Sequence, residues 1–464
     1  DLSAPVMSRA LTHLDNCYSF KNFTARGYIC KTNTVSNTAF RGFGGPQGML
    51  AIENILERVS RFLGIDLDAL RHENYYSHKN GIKTPYGQIV KNIKIEKIIA
   101  EMENFAGLTK RKLEVEKFNK LQINEKKPYR KGIAFMPAKF GISFNKVSLN
   151  QAGALVHVYT DGSVRLNHGG TEMGQGLFTK VAQVVSECFN IPINYVHISG
   201  TSTDEVPNTS ATAASSGSDI NGMAAWKAAS VIKKRMLKQA SKIFQKPSSS
   251  IEFRNGLILS GNKSMTFKEL AFSCWESRVS LSSTGFYKTP KISWDQEKFK
   301  GSPYFYFTWG AAISEAVIDI DTGESRILRA DIIQDCGSSL NPLIDKGQIE
   351  GGFVQGIGWL TCEELYFNPE GKLLTLGPST YKIPGSRDVP PEFNIKLLEN
   401  APNEEKTIFR SKAVGEPPLL LAISHFLALK NAVSMASKKS NADLLNAPAT
   451  PSKILAAIYN DQSM

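Results

Sequence analysis

The sequence has few cysteines and no long apolar run. Its six cysteines are scattered over 464 residues, and none forms a CxxC pair or has a histidine at metal-ligand spacing. This pattern excludes a disulfide scaffold, a zinc site and an iron–sulfur cluster, and free thiols favour a reducing, intracellular compartment. The longest apolar stretch, residues 419–429, is interrupted by a serine and a histidine and is too short to span a bilayer. We therefore expect that the chain is not a membrane protein.

Two nucleotide-binding signatures are also missing. No glycine-rich loop is followed by Gly-Lys-Ser/Thr, and none fits the dinucleotide fingerprint between a strand and a helix, so an ATP or nicotinamide site is not supported. The net charge is +12, and a good part of it lies in lysine-rich stretches at residues 110–112 and 126–131. Because these stretches match no nucleic-acid-binding motif, we interpret them as solvated linker and expect no nucleic-acid partner.

The order of helical and strand patterns favours an α+β fold, because the regular alternation of a parallel sheet is missing. The composition, 42% hydrophobic and 21% charged, is that of a folded protein, and the length predicts two or more domains. The charged segment 110–131 lacks apolar periodicity and indicates a boundary, which divides the chain into residues 1–127 and 128–464. Since the chain starts at Asp1 without a leader, we expect it to come from the interior of a longer protein.

Local patterns predict several elements. Apolar residues at helical spacing predict helices over residues 49–63, 179–189, 220–244 and 419–436. Alternating patterns that flank short turns predict two hairpins, 154–159 with 164–168 and 316–321 with 325–330.

The most informative stretch is residues 411–421, which reads SKAVGEPPLLL. Glu416 stands between Gly415 and Pro417, and the fixed φ of proline suits the first helical position. The carboxylate is therefore expected at or beside a helix N-terminus, where negative charge is favoured and an ionised group can act as a base. Taken alone, such a residue is more often a simple cap.

Four loops rich in glycine and small residues each lead toward a predicted helix: residues 41–47, 168–176, 209–218 and 347–356. Singly, each is expected to be a tight turn or a site of close helix packing. Together they favour one large cofactor, because exposed N–H groups in such loops bind phosphates and polar heterocycles. Glutamines within these loops suit a pterin-like ring edge, and Arg41 can neutralise a phosphate or form a structural ion pair.

These motifs, in this order, resemble the molybdenum-cofactor region of the xanthine dehydrogenase and aldehyde oxidase family. The resemblance covers about residues 1–436 and rests on five segments: 37–47, 168–176, 206–210, 377–384 and 412–418. It implies that residues 1–127 are the C-terminal part of a first molybdopterin-binding domain and residues 128–464 a second. It also implies Mo-molybdopterin as the cofactor, with the metal held by the pterin dithiolene and not by side chains. A [2Fe–2S] cluster and FAD are expected only in upstream domains.

The resemblance also implies roles for single residues. Glu416 matches the family's general base, which takes the proton of a hydroxyl on molybdenum as oxygen enters an electron-poor carbon and hydride leaves. Arg9 matches the arginine that stabilises negative charge on a purine, and Phe43 and Phe144 match the two aromatics that sandwich a flat ring. The positions that match the lining of the pterin and its phosphate are Arg41, Gln175, Ala213, Ala214, Ser215 and Gln348.

Two departures from the family pattern concern the substrate pocket. Asn145 stands where the family usually has threonine, and its extra donor and bulk put substrate orientation or preference in question. The family's second substrate glutamate and the glycine-rich loop beside molybdenum lie upstream of Arg9, so this chain is expected to hold an incomplete pocket.

The leading hypothesis is a portion of an enzyme that hydroxylates hypoxanthine and xanthine to urate with water as the oxygen source. An alternative is an aldehyde oxidase acting on aromatic aldehydes and N-heterocycles. An alternative of another class is a catalytically inactive remnant. We expect a purine or aromatic heterocycle as substrate, a homodimer in the full-length enzyme, and a cytoplasmic or, alternatively, peroxisomal location.

Overall fold

The computed structural model describes residues 2–206, 208–437 and 441–459. Pro207, which belongs to the 206–210 motif, lies outside the described residues, as do the last residues of the second predicted domain. The helices are α1 (Ser3–Leu11), α2 (Gly45–Leu63), α3 (Leu67–Asn74), α4 (Ile95–Ala106), α5 (Leu108–Asn124), α6 (Leu177–Phe189), α7 (Gly217–Phe244), α8 (Phe267–Glu276), α9 (Pro342–Thr361), α10 (Pro417–Leu420), α11 (Ile423–Ser434) and α12 (Pro451–Tyr459).

The strands are β1 (Tyr129–Ile142), β2 (Gln151–Val158), β3 (Val164–His168), β4 (Val196–Ile198), β5 (Glu252–Arg254), β6 (Leu257–Ser260), β7 (Lys263–Thr266), β8 (Ser282–Lys288), β9 (Ser293–Asp295), β10 (Lys300–Ser302), β11 (Tyr306–Asp319), β12 (Ser325–Gln334) and β13 (Glu392–Leu397). They form two four-stranded sheets, ordered β1-β11-β12-β13 and β4-β3-β2-β8, with smaller sheets β5-β6-β7 and β9-β10. The predicted α+β class is confirmed.

The first sheet is built on the antiparallel pair β1 and β11. The two strands pair over their whole length, from Tyr129 opposite Asp319 to Ile142 opposite Tyr306. Helix α11 lies across both strands. The contact is close, because a Cβ atom on Gly132 would lie 2.0 Å from the Ala428 carbonyl oxygen in that helix. The end of this pair, at Ile142 and Tyr306, lies beside the candidate site described below.

The second large sheet is covered by α6 and α7. An alanine-rich face of α7 contacts β2 and β8, and a Cβ atom on Gly285 would lie 2.1 Å from the Ala224 carbonyl oxygen. One apolar core lies between this sheet and its helices, and two others lie on the first sheet, one with α9, α11 and α12 and one with α2, α4 and α5. Burial of these apolar faces is the main stabilising contribution to the fold.

Most of the predicted elements are confirmed. The helices predicted over 49–63, 179–189 and 220–244 are α2, α6 and α7, each of which begins a few residues earlier, and both hairpins are present as β2–β3 and β11–β12. The single helix predicted over 419–436 is wrong, because α10 and α11 are separate. At the break, Leu421 N and Ala422 N donate to carbonyls three residues earlier, which interrupts the α-helical ladder.

The interpretation of residues 110–112 and 126–131 as solvated linker is also wrong. The first stretch lies in α5, and the second half of the other stretch, residues 129–131, is the start of β1. Arg111 is buried, with its Nη1 2.6 Å from Asp331 Oδ2 and its Nη2 3.2 Å from Glu315 Oε2. Charged residues therefore fix α5 to the first sheet through ion pairs, which apolar periodicity does not reveal. The division into two domains at residue 127 stays a prediction.

No described helix combines the length and apolar character needed to cross a membrane. All six cysteines lie in the described part of the chain and carry free thiols.

Candidate active site

Glu416 lies at the start of α10, as the glycine-to-proline turn predicts. It occupies the N-cap position, but its side chain makes no capping hydrogen bond. Instead, Ser215 Oγ donates to Glu416 Oε2 at 2.9 Å, and Glu416 N donates to Ser215 Oγ at 2.8 Å. The second carboxylate oxygen, Oε1, has no hydrogen-bond partner among the described residues. Glu416 is therefore not a side-chain cap, and one of its oxygens is free.

Arg9 is the cationic neighbour of Glu416. Its Nη2 lies 3.8 Å from Glu416 Oε2, and the two side chains are 4% and 13% exposed, so little solvent screens this pair. Backbone carbonyls hold the guanidinium in place: Nη2 donates to Gly141 O at 2.6 Å and Nη1 to Ser143 O at 2.7 Å. The structure thus brings together the two residues to which the resemblance assigns catalysis.

Glycines in the 41–47 loop and just after it allow Arg9 to reach this position. Gly44 has φ of +103°, and a Cβ atom on it would lie 2.1 Å from the Val6 carbonyl oxygen in α1. A Cβ atom on Gly48 would lie 2.3 Å from the Ala10 carbonyl oxygen. Because no side chain separates the two backbones, α1 lies directly against the start of α2. The prediction of close helix packing is confirmed for this loop.

Arg41 joins three segments that are remote in sequence. Its Nε donates to Gly415 O at 2.6 Å, and its Nη2 donates to the backbone and side-chain oxygens of Gln348 in α9 at 3.2 and 3.3 Å. Burial lowers the pKa of Arg41 from its usual value, while the nearby Glu416 charge acts in the opposite direction. Arg41 and Gln348 therefore lie next to the segment that carries Glu416, and they offer a cation and an amide there.

The residues before α7 form a turn of unusual backbone shape. Ala214 and Ser215 have φ of +55° and +56°, two consecutive left-handed residues, and Ser216 N donates to Ala213 O at 3.4 Å. Successive N–H groups in such turns form concave sites for anions and polar rings. Ser215 was predicted only as a cofactor-lining residue, and the structure shows that it also contacts Glu416.

Gln175 lies in the neighbouring 168–176 loop. This loop is linked to the turn before α7, since Thr171 N donates to Thr212 Oγ1 at 2.8 Å. The Gln175 amide is used within its own loop, where Nε2 donates to Thr171 O at 2.8 Å and Oε1 accepts from Met173 N at 2.5 Å. The structure therefore places Gln175 close to the 213–215 turn without a direct hydrogen bond to any other predicted site residue.

Phe43 and Phe144 are both half-buried. Neither ring contacts another aromatic ring within the described residues, so both are free of aromatic partners. The Phe144 backbone is fixed by Asn150, which accepts from Phe144 N at 2.8 Å and donates to Phe144 O at 2.9 Å. The adjacent Asn145 donates weakly to Ser8 Oγ at 3.4 Å, and its buried Oδ1 has no partner in the described part of the chain. An acceptor that is unpaired therefore lies beside Arg9 and its helix.

A second group of buried residues, for which the sequence analysis found no functional pattern, supports the Glu416 segment. Lys412 Nζ lies 2.5 Å from Asp335 Oδ2 and donates to Phe307 O at 3.1 Å. Tyr306 Oη accepts from Ala413 N at 2.9 Å and donates to Asp219 Oδ2 at 2.6 Å, and burial raises the pKa of Asp219 to about 7. Lys412 lies in the motif around Glu416, but no sequence pattern links it to its partners.

The loops around this site also contain a buried donor without a partner. His168 Nδ1 accepts from Gly170 N at 3.1 Å, so the neutral ring carries its hydrogen on Nε2, which has no partner among the residues that the structure describes. Burial lowers the pKa of His168 to about 4, so the ring stays neutral.

The described residues contain no group of three or more His, Cys, Asp or Glu that could hold a metal ion. The site therefore offers a cation, amides, a left-handed turn and an unpaired donor. Such a lining fits a large polar group that carries its own metal ligands, such as molybdopterin.

The fold and this set of donors define a molybdopterin-binding region of the molybdenum hydroxylase type. The aldehyde oxidoreductase from Desulfovibrio gigas has the same fold, with a TM-score of 0.79 over 98% of this chain and 45% of that one, at 21% identity. The chain belongs to the molybdopterin cofactor-binding domain family, whose models match residues 1–75 and 101–390. These models, together with the relatives given next, confirm the resemblance to the xanthine dehydrogenase family.

Two relatives match almost the whole chain. Xanthine dehydrogenase/oxidase from Felis catus is 48% identical over 98% of this chain, and the protein of the same name from Mus musculus is 47% identical over 98%. These matches cover 33% and 32% of the relatives, so the chain spans about a third of their length.

Proposed function

We propose that this chain is the molybdopterin-binding portion of an enzyme that hydroxylates hypoxanthine and xanthine to urate with water as the oxygen source. The observation that carries the proposal is the Arg9–Glu416 pair, in which a guanidinium and a carboxylate lie 3.8 Å apart. Gly141 and Ser143 orient the guanidinium, and Ser215 orients the carboxylate. Among the described residues, each group retains hydrogen-bonding atoms that are not used. The relatives named xanthine dehydrogenase/oxidase support a purine substrate.

In this proposal Glu416 is the general base. Bound molybdenum would supply Lewis acidity toward water and accept electrons from the substrate. Ser215 holds Oε2 of Glu416 at 2.9 Å, so the carboxylate cannot rotate freely and Oε1 is the atom that takes up the proton. A carboxylate fixed in this way needs no reorientation before it accepts a proton, which is the condition for efficient base catalysis.

Arg9 is proposed to bind the substrate and stabilise its charge. Two of its five N–H groups are bound to the Gly141 and Ser143 carbonyls, and its buried Nε has no partner within residues 2–206, 208–437 and 441–459. Negative charge that builds on a purine during attack would lie next to this cation in a poorly solvated pocket, where electrostatic stabilisation is strong. Phe43 and Phe144 would contact the two faces of the flat ring.

The cofactor would be bound by residues from several loops. Arg41 is the only cation among the predicted lining positions, so we assign it to the phosphate or a ring heteroatom of the pterin. The other positions proposed for this role are Gln175, Ala213, Ala214, Ser215 and Gln348. For Arg41, Gln348 and Ser215 the support is contact: Arg41 binds Gln348 and Gly415, and Ser215 binds the adjacent Glu416. For Gln175, Ala213 and Ala214 the support is the family resemblance.

An aldehyde oxidase is the second candidate, because Asn145 departs from the threonine usual in the family and puts the preference for purines in question. Among the described residues its buried Oδ1 has no partner, and threonine would offer no amide oxygen there. The deciding experiment compares turnover of xanthine and of an aromatic aldehyde by the complete enzyme. Turnover of xanthine supports the proposal, and turnover of the aldehyde alone would overturn it.

The complete enzyme is proposed to include [2Fe–2S] and FAD domains, to form a homodimer and to be cytoplasmic or peroxisomal. A catalytically inactive remnant is the competing hypothesis for the chain by itself. Residues 1–464 can be expressed alone and assayed for bound molybdenum and pterin. Retention of both supports a cofactor-binding unit, and retention of neither favours the remnant.

A further inference from the structure

His13 is buried next to Arg9, and its contacts allow only one arrangement of donor and acceptor on its imidazole ring. Its Nδ1 is 2.9 Å from the Arg9 carbonyl oxygen, which can only accept, so Nδ1 carries a hydrogen. Its Nε2 is 3.1 Å from Gly141 N, which can only donate, so Nε2 carries none. These two contacts fix the imidazole as the neutral Nδ1–H tautomer.

The contacts of His13 close a ring of hydrogen bonds around Arg9. The Arg9 backbone binds His13, His13 binds Gly141 N, and Gly141 O accepts from Arg9 Nη2 at 2.6 Å. The imidazole therefore sets the distance between the backbone of α1 and the end of β1. The Arg9 side chain depends on that distance, because its acceptors, Gly141 O and Ser143 O, lie on this end of the strand.

Two aromatic rings hold both His13 and Arg9. The Phe140 and Tyr304 centroids lie 4.5 and 5.2 Å from the His13 ring, and 4.7 and 5.0 Å from the Arg9 guanidinium carbon. Tyr304 is fixed in turn by Thr12, with 2.5 Å between its hydroxyl and Thr12 Oγ1. Burial, and then the Arg9 charge, lower the pKa of His13 well below its usual value, which agrees with the neutral ring that the geometry requires.

We propose that His13 is the positioning residue that orients the Arg9 guanidinium toward the substrate. This inference rests on the substrate role proposed for Arg9 above. His13 itself faces Arg9 and the strand, and it acts only through Arg9. If His13 only stabilised the fold, its substitution would lower the activity on all substrates alike. A positioning histidine affects the substrates that depend on Arg9, which are the purines and not simple aldehydes.

The test uses two variants of the complete, cofactor-loaded enzyme. His13→Leu keeps much of the side-chain volume but can neither donate nor accept, and we expect kcat/KM for xanthine to fall by about 30-fold, as small misplacements of a binding group do. For an aromatic aldehyde we expect a change of less than about threefold, at equal molybdenum content. His13→Gln can offer both an N–H and a carbonyl oxygen, so it should recover a substantial part of the xanthine activity.

The control is Tyr306→Phe, a change to another buried tyrosine that contacts the Glu416 segment and not Arg9. It should lower activity on both substrates alike. Equal losses on xanthine and aldehyde in His13→Leu, or loss of molybdenum in parallel with activity, would overturn the inference. No recovery in His13→Gln would also count against it.

Arg9→Met, measured in parallel, separates the proposed substrate role of Arg9 from the proposed positioning role of His13. If Arg9→Met does not affect xanthine selectively, the proposed role of Arg9 fails. If it does and His13→Leu does not, only the positioning role of His13 fails. Should neither His13 variant fold, His13→Asn offers a donor and an acceptor on a shorter side chain. A loss of activity in that variant that is selective for xanthine supports the inference, and an equal loss on both substrates overturns it.

Discussion

Ser215 and Glu416 bind each other twice. The Ser215 hydroxyl accepts from Glu416 N at 2.8 Å and donates to Glu416 Oε2 at 2.9 Å. This pair joins the turn before α7 to the turn before α10, and a Cβ atom on Gly415 would lie only 3.0 Å from Ser215 Oγ. Because both contacts use the same hydroxyl, Ser215 fixes the backbone and the carboxylate of Glu416 together.

The first prediction concerns the base itself. Glu416→Gln keeps the size of the side chain and an acceptor for Ser215, but the amide cannot take up a proton at neutral pH. We expect turnover of xanthine to fall by about 10³-fold or more, with molybdenum and pterin content nearly unchanged. Steady-state kinetics and metal analysis measure the two quantities. Loss of the cofactor together with activity would show that Glu416 has a structural role.

Ser215→Ala tests whether the hydroxyl orients Glu416. Removing a hydrogen bond to a charged group costs about 1.5–3 kcal/mol, so we expect kcat to fall by about tenfold or more while Glu416 remains present. The matched control is Ser216→Ala, because within the described residues the Ser216 hydroxyl donates only to Ala213 O, at 3.3 Å. Similar effects of the two substitutions would contradict the orienting role.

Arg9→Met tests the contribution of the positive charge. Methionine fills the space between Phe140 and Tyr304 but stabilises no negative charge, so we expect kcat/KM for xanthine to fall by about 100-fold. Aldehyde oxidation should fall much less, since no comparable charge builds on an aromatic ring. Both values are obtained from initial rates on the same preparation. Equal losses would argue against a purine-specific role.

The pH dependence of stability should report on Asp219. Burial raises its pKa from the ordinary 3.8 to about 7, so the folded protein binds more protons than the unfolded chain between these values. The free energy of unfolding should therefore decrease as pH rises from about 4 to about 7. Above about pH 7, the titration of Asp219 should change it no further. Asp219→Asn keeps an acceptor for Tyr306 and should flatten this part of the curve in denaturant unfolding. An unchanged slope would show that Asp219 is ionised throughout.

Lys412→Met tests the buried ion pair behind the Glu416 segment. Lys412 is 5% exposed and Asp335 fully buried, so removing the lysine leaves an uncompensated carboxylate. We expect the free energy of unfolding to fall by about 3–5 kcal/mol, measured by chemical denaturation. The exposed Lys406, substituted in the same way, should have little effect. The double variant Lys412→Met with Asp335→Asn should recover part of the loss, and no recovery would contradict this account.

Local chemistry explains which elements could be predicted from the sequence. Helices α2, α6 and α7 and the β2–β3 hairpin follow apolar periodicity and turn residues, and all four were predicted. The break between α10 and α11 and the helix α5 were not predicted. At the break, Leu421 N and Ala422 N donate to carbonyls three residues earlier, a backbone shape that apolar periodicity does not reveal. Helix α5 is fixed by ion pairs from Arg111 to Asp331 and Glu315, which are far away in the chain, so no local pattern contains these contacts.

The residue types of the site and the family follow from the sequence alone. Glu416 before two prolines, the loop around Arg41, and Arg9 could all be identified without coordinates, because motifs are contiguous. The tertiary structure was needed to show that Glu416 is bound by Ser215 instead of capping its helix, and that Arg9 is held by Gly141, Ser143 and His13. The direction of a hydrogen bond depends on where distant backbones meet, and that meeting point is fixed by packing of the whole chain.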